Sequence, residues 1–407
     1  MKMMILSRCL LNFLLLIVII LIATLTGCAS QYSAQSEGLT GDRILFVTYA
    51  KAGTASLFIV NADGTGLSKL TDLTNIWEDW PCVSYSWNPV ISPDKKKIAY
   101  FSSNGYLSIL NMDDAKVTDL MEVNVGSGGQ YLAWSPDGSK IAYVNSDGNL
   151  HVVNIDGTGD RELATANGAS YSPGGAQGLG AWMKDQIRRP VWSSDGKLIL
   201  FDDFRTPDSM SVGLSLHPMQ SVKNRAIYSV NTDISDIERT KLVELAVVGG
   251  SMSYGNKILI SIYKYSKDET EFYIMNDDGT DRKPLVPLST SLASIPMWSP
   301  DGNVIAYFSR SHVLKMIDAS TLEDIPLNVE LKVGGFYEAY DNHNTGFYVD
   351  EGNFIWSPDS HHIAYVHRKS LDEFAEIRIV RNDLSCEFLT LRLSETDQDI
   401  ELIGWVN

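Results

Sequence analysis

The sequence predicts an all-β chain built as an array of four-stranded antiparallel blades. Three observations carry this: a recurring Trp-Ser-Pro-Asp-Gly turn, an Ile-Ala-Tyr step two or three residues after it, and a second turn of the form Asp-Gly-Thr. Trp134-Ser135-Pro136-Asp137-Gly138 leads into Ile141-Ala142-Tyr143, and Trp298-Ser299-Pro300-Asp301-Gly302 leads into Ile305-Ala306-Tyr307. Weaker copies are Ile91-Ser92-Pro93-Asp94 before Ile98-Ala99-Tyr100, Trp192-Ser193-Ser194-Asp195-Gly196 before Leu198-Ile199-Leu200, and Trp356-Ser357-Pro358-Asp359 before Ile363-Ala364-Tyr365. A period of roughly 40 to 60 residues marks stacked units, because one such unit cannot bury its apolar faces alone.

Within a unit, strand A ends in Trp-Ser. Pro-Asp-Gly then makes a tight turn in which Pro presets φ and Gly takes a conformation other residues resist. Strands B and C are the alternating runs Lys140 to Val144 and Leu150 to Ile155, and strand D, near Glu162 to Ala164, follows the turn Asp156-Gly157-Thr158. The same second turn recurs as Asp63-Gly64-Thr65 and Asp278-Gly279-Thr280. B strands start at Ile44, Ile98, Ile141, Leu198, Ile258, Val304 and Ile363, which makes seven units. The first unit lacks a preceding A strand, whereas Ile400 to Val406, with Trp405 near its end, reads as an A strand without partners. Pairing the two closes a ring of seven blades and removes the open edge; six blades is the alternative count. The fifth unit is the weakest, since Ser251-Met252-Ser253-Tyr254-Gly255 has neither the Trp nor the Pro-Asp.

These motifs resemble the Pro-Asp repeat of TolB-type β-propellers, and the resemblance covers nearly all of the chain after residue 41. It implies a β-propeller. Propellers of this kind serve as periplasmic adaptors, as polysaccharide lyases and as the front domain of some serine peptidases, so the fold alone selects no function.

The N-terminus has a different character. Lys2 and Arg8 form a positive n-region, and Phe13 to Ala23 is an unbroken apolar run of eleven residues, short for a spanning helix, which needs about 20. Leu25-Thr26-Gly27-Cys28 follows and resembles a lipobox, which implies lipidation of Cys28 and anchoring of the mature chain to a membrane through that lipid. Ala29 and Ser30 lack the acidic residue that retains enteric lipoproteins at the inner membrane, so the expected placement is the outer membrane, facing the periplasm, in a host that has one. The expected organisation is residues 1–27 as signal peptide, 28–41 as a polar, lipidated tether, and 42–407 as the propeller.

The net charge is −17, and loss of Lys2 and Arg8 with the signal takes it to −19. So acidic a body argues against nucleic acid as a partner. Of four cysteines, Cys9 leaves with the signal and Cys28 takes the lipid; Cys82 and Cys386 fall at opposite ends of different blades, too far apart for a disulfide. No Gly-x-Ser-x-Gly, His-Glu-x-x-His, phosphate-cradling Gly-Lys-Ser/Thr or Cys-x-x-Cys occurs, so no catalytic residue, cofactor or metal is expected. His361 and His362 read as exposed neighbours in an A-to-B turn. The repeated Asp94, Asp137, Asp195, Asp301 and Asp359 read as turn caps, because calcium needs six to eight converging oxygens. The repeating Trp and Tyr read as core between blades.

Departures from the repeat hold the functional signal. Three D-to-A connections are long: Asp72 to Trp87 with Trp77 and Trp80, Thr165 to Arg189 with Trp182, Arg188 and Arg189, and Asn328 to Asn353 with Tyr340, Asp341 and His343. They share one face around the channel mouth with the B-to-C insertion Asp202 to Arg225. Flat rings with a few charged groups suit a sugar or a peptide. The expected function is a membrane-anchored, non-enzymatic scaffold of the cell envelope that binds a protein or glycan there, the alternative being a polysaccharide lyase or hydrolase in the same mouth.

Overall fold

In the computed structural model the described residues are 41–49, 55–73, 89–102, 104–123, 131–145, 147–166, 186–204, 226–233, 239–244, 246–264, 269–285, 296–309, 313–327, 354–367, 375–383, 387–392 and 399–406. Their strands form seven antiparallel sheets. Blade 1 is β27 (Asp399–Val406), β1 (Arg43–Tyr49), β2 (Ala55–Asn61) and β3 (Ser68–Leu73), in that order. Blade 2 is β4 (Val90–Ile91), β5 (Lys97–Phe101), β6 (Tyr106–Asn111) and β7 (Val117–Glu122), and blade 3 is β8 (Leu132–Trp134), β9 (Lys140–Val144), β10 (Leu150–Asn154) and β11 (Arg161–Ala164). Blade 4 is β12 (Gln186–Trp192), β13 (Leu198–Phe204), β14 (Ala226–Asn231) and β15 (Thr240–Glu244), and blade 5 is β16 (Ala246–Tyr254), β17 (Lys257–Lys264), β18 (Glu269–Asn276) and β19 (Lys283–Pro284). Blade 6 is β20 (Met297–Trp298), β21 (Val304–Phe308) and β22 (Leu314–Asp318), with a single bridge from Ile317 to Asp324 where a fourth strand would lie. Blade 7 is β23 (Phe354–Trp356), β24 (His362–His367), β25 (Glu376–Arg381) and β26 (Glu387–Arg392). The first strands of successive blades touch one another from blade 7 through blade 1 to blade 6, so they surround the axis.

In blades 2, 3, 4, 6 and 7 the A-to-B hairpin is closed by its own side chains. Ser135 Oγ donates to Asp137 Oδ1 (2.6 Å) and accepts the Lys140 N–H (2.9 Å), while Asp137 Oδ1 also accepts the Ser139 N–H (3.0 Å). These donors, the Ser135 hydroxyl foremost, pull the Asp137 carboxyl down to about 2. The same clasp joins Ser92 to Asp94, Ser193 to Asp195, Ser299 to Asp301 and Ser357 to Asp359. The repeated aspartates are therefore turn caps, as their spacing predicts. Lys95 and Ser360 hold the left-handed φ, 58° and 64°, that Gly138 holds at 68°; the hairpin survives loss of its Gly at a cost of about 1 to 2 kcal/mol.

Seven apolar clusters fill the seven contacts between successive blades, including the contact between blades 7 and 1. A size rule runs through them. The Ala of Ile-Ala-Tyr clusters with the Trp of the next blade: Ala99 with Trp134, Ala142 with Trp192, Ala306 with Trp356 and Ala364 with Trp405. Where the next blade has no Trp, the Ala position holds Leu: Leu45 faces Ile91 of blade 2, and Leu200 faces blade 5, whose Ser253 stands in the Trp position. Leu259 is the one leucine facing a Trp, and there Trp298 is left half-buried. Indole N–H groups complete two contacts, Trp134 to the Val90 carbonyl at 2.9 Å and Trp192 to the Ala133 carbonyl at 3.1 Å.

The ring closes through β27, which pairs antiparallel with β1 from Arg43 opposite Val406 to Tyr49 opposite Asp399. The count is seven blades and not six. Three expectations need correction. Arg188 and Arg189 lie inside β12, not in a connecting loop, and Asp202 and Asp203 lie inside β13, not in an insertion. His362 opens β24 and is buried against its blade, so only His361 is exposed.

Ala142→Leu places three extra heavy atoms against Trp192 and is expected to lower stability by about 1 to 3 kcal/mol in urea unfolding. Ala142→Leu at wild-type stability would contradict the size rule.

Candidate functional site

The two faces of the ring differ in construction. A-to-B and C-to-D turns occupy one face and are tight: in Asn-x-Asp-Gly-Thr, Asp156 Oδ1 accepts both the Thr158 hydroxyl (2.6 Å) and its N–H (2.9 Å), and Asn154 bonds Thr158 Oγ1 (3.2 Å). Gly157, at φ 82°, rests against the Leu120 carbonyl of blade 2 with no room for a Cβ. B-to-C and D-to-A connections occupy the other face, the mouth. Of the residues expected to ring it, Trp77, Trp80, Trp182, Tyr340, Asp341 and His343 lie outside the described residues, as do Cys28, Cys82 and Cys386. Arg188 and Arg189 are described, and they lead to a charged cluster.

Strand β12 carries an extra residue between Arg188, opposite Asp202, and Val191, opposite Leu200. At that bulge Arg189 adopts φ 50°. The other non-glycine residues of positive φ among the described residues, Lys95, Ala115, Asp281, Leu322 and Ser360, all sit in turns. A left-handed arginine within a strand costs on the order of 1 kcal/mol or more, and such strain gathers where a bulge re-aims side chains.

Beside the bulge, Asp202 lies opposite Arg188 and Asp203 opposite Ile187, and each aspartate is 1% exposed. Asp203 accepts a hydrogen bond from Arg239 Nη1 at 2.9 Å, and the Arg239 guanidinium lies 4.6 Å from the Tyr228 ring centroid. Three arginines and two aspartates thus share the mouth end of blade 4. Arginine forks offer paired donors to planar acceptors such as carboxylates and amides. Sequence reading found Arg188 and Arg189 but missed Asp202, Asp203 and Arg239. A signal for Asp202 was present: in register it stands where Val47, Phe101, Val144 and Phe308 stand in other blades, all of them buried.

Two other charged groups are parts of single blades. In blade 7 the Glu376 carboxylate, although burial opposes its charge, is held below the usual range by Arg378 (2.7 Å) and Arg392 (2.7 Å). In blade 3 the Tyr143 hydroxyl donates to Asp160 (2.8 Å), and burial with this bond pushes the phenol well up. His151 Nδ1 lies 3.4 Å from the same Asp160. No group of three His, Cys, Asp or Glu able to hold a metal occurs among the described residues. Burial pushes the His362 imidazole down, toward the neutral form.

No family model matches the chain, and no curated protein does. Among solved structures it is similar to TolB from Acinetobacter baumannii at 18% identity, covering 69% of this chain and 62% of that one, with a TM-score of 0.43. It is similar to an oligogalacturonate lyase in complex with manganese at 14% identity, covering 87% and 86%, with a TM-score of 0.50. A prolyl endopeptidase is 11% identical over 93% of this chain and 55% of its own, with a TM-score of 0.51. The chain therefore spans under two thirds of that TolB and of that peptidase. These are likenesses of fold alone, and the fold is a seven-bladed β-propeller.

Arg239→Met removes a partner of the buried Asp203 carboxylate and is expected to cost on the order of 3 kcal/mol. Arg189→Gly, which relieves the left-handed conformation, is expected to leave the urea midpoint unchanged or raised. An Arg189→Gly chain markedly less stable than wild type would show that the bulge is held by the arginine's own contacts.

Proposed function

We propose that this chain is a lipid-anchored, non-enzymatic scaffold of the cell envelope whose loop-rich mouth binds a protein or glycan partner. The observation that carries the reading is the blade 4 cluster, where Arg188 stands opposite buried Asp202 on an axial strand, with strained Arg189 next to it and buried Asp203 beside Asp202. The regular copies of the repeat are occupied elsewhere: their serines and aspartates clasp turns, and their Trp and Tyr residues fill blade contacts. The long connections that carry Trp77, Trp80, Trp182, Tyr340, Asp341 and His343 lie outside the described residues; in chain order each leads from the end of one blade to the start of the next.

The lipobox-like Leu25-Thr26-Gly27-Cys28 supports anchoring through Cys28, and Ala29 and Ser30 support an outer-membrane site facing the periplasm. A mature charge of −19 supports an aqueous body without nucleic acid as a partner.

The test combines capture with turnover. The soluble body is used to pull partners from envelope extracts and, in parallel, is incubated with acidic polysaccharides. Loss of one captured partner when Trp77, Trp80 and Tyr340 are changed to Ala, and again with Arg188→Ala, is the expected result. Depolymerisation abolished by Arg188→Ala or His343→Ala would overturn the scaffold and establish the lyase or hydrolase alternative.

A further inference from the structure

We infer that the anchored propeller presents its mouth away from the bilayer that holds its lipid, so that the mouth fits a partner arriving from the aqueous compartment. This rests on the reading of Cys28 as the lipid site. The geometry begins at Arg43. As the first residue of β1 it lies opposite Asn61, the last residue of β2 before the Asp63-Gly64-Thr65 turn, and opposite Val406, the last paired residue of β27. The chain therefore enters the ring on the tight-turn face. The mouth lies at the other end of the same strands, where Tyr49 is opposite Ala55 and Asp399.

Thirteen residues, 29–41, separate Cys28 from Asp42. Covalent geometry limits the reach of a segment of that length to about 45 Å. Strands of five to eight residues set the two faces roughly 20 Å apart. A link of that reach attached at the turn face keeps this face within about 45 Å of the lipid, and turning the mouth to the lipid would require the link to pass around the ring.

Charge keeps the turn face from lying on the lipid. Asp63, Asp94, Asp137, Asp156, Asp195 and Asp278 are exposed there, and their own turns hold each carboxyl below its usual range, so they stay ionised at neutral pH. Anionic headgroups repel such a face over a Debye length of about 8 Å. The body stands off the surface, turn face inward.

Energy transfer to acceptor-labelled headgroups tests this. A donor is attached at Lys116→Cys on the turn face or at Asp147→Cys on the mouth face, in a Cys82→Ser, Cys386→Ser background, on the lipidated protein bound to vesicles. Transfer about two-fold stronger from position 116 is expected from a separation of roughly 20 Å; equal transfer, or stronger transfer from position 147, would overturn the proposal. Membrane fractionation of wild type against Cys28→Ser reads the anchor separately. If neither fractionates with membrane, the anchoring reading fails, and the same two donors on a chain held to nickel-chelating vesicles by a histidine tag preceding Ser30 still decide the orientation.

Discussion

The pairing of β27 with β1 is the constraint on which the rest of the structure depends. An open array of blades would leave the apolar face of blade 1 and that of blade 7 in water, with a free strand edge beside them. Closure converts both into one cluster, in which Ile44, Phe46 and Trp405 of blade 1 pack with Ala364, Ile377 and Ile379 of blade 7. Because the closing strand comes from the far end of the chain, blade 1 has no A-to-B turn of its own. The described chain enters the ring there, with Arg43 opposite Val406 at the end of the closing strand.

Around the ring, the blades are matched by volume as well as by hydrogen bonds. An alanine on a B strand leaves space that the tryptophan of the following blade occupies, and leucine takes the alanine's place at Leu45 and Leu200, where no tryptophan arrives. Interiors packed to crystal-like density respond to differences of a few methylenes, so the order of blades is encoded in the order of these pairs.

The hairpins were legible in the sequence because their causes are local. Ser, Asp and the residue two positions later close five of the A-to-B turns within six residues, and the Asn-x-Asp-Gly-Thr turn is as compact. Closure was legible through the count of strands. The candidate site was only half legible. Arg188 and Arg189 follow a glycine-rich stretch and read as loop, yet pairing with β13 draws them into a strand, a tertiary effect that no local propensity announces. Asp202 and Asp203 read as the start of an insertion because carboxylates seldom enter a buried strand; Arg239, from a segment beyond β14, makes the burial of Asp203 tolerable. Ser253 shows the same limit, since β16 forms without the Trp and Pro-Asp that mark its counterparts.

Hydrogen exchange of the β1 and β27 backbone amides tests closure most directly. The account predicts that amides paired between Arg43 and Tyr49 and their partners in β27 exchange as slowly as those of β9 and β10 in blade 3, opening only with global unfolding. Exchange of β27 ahead of the other blades, by local release of the C-terminal strand, would contradict it.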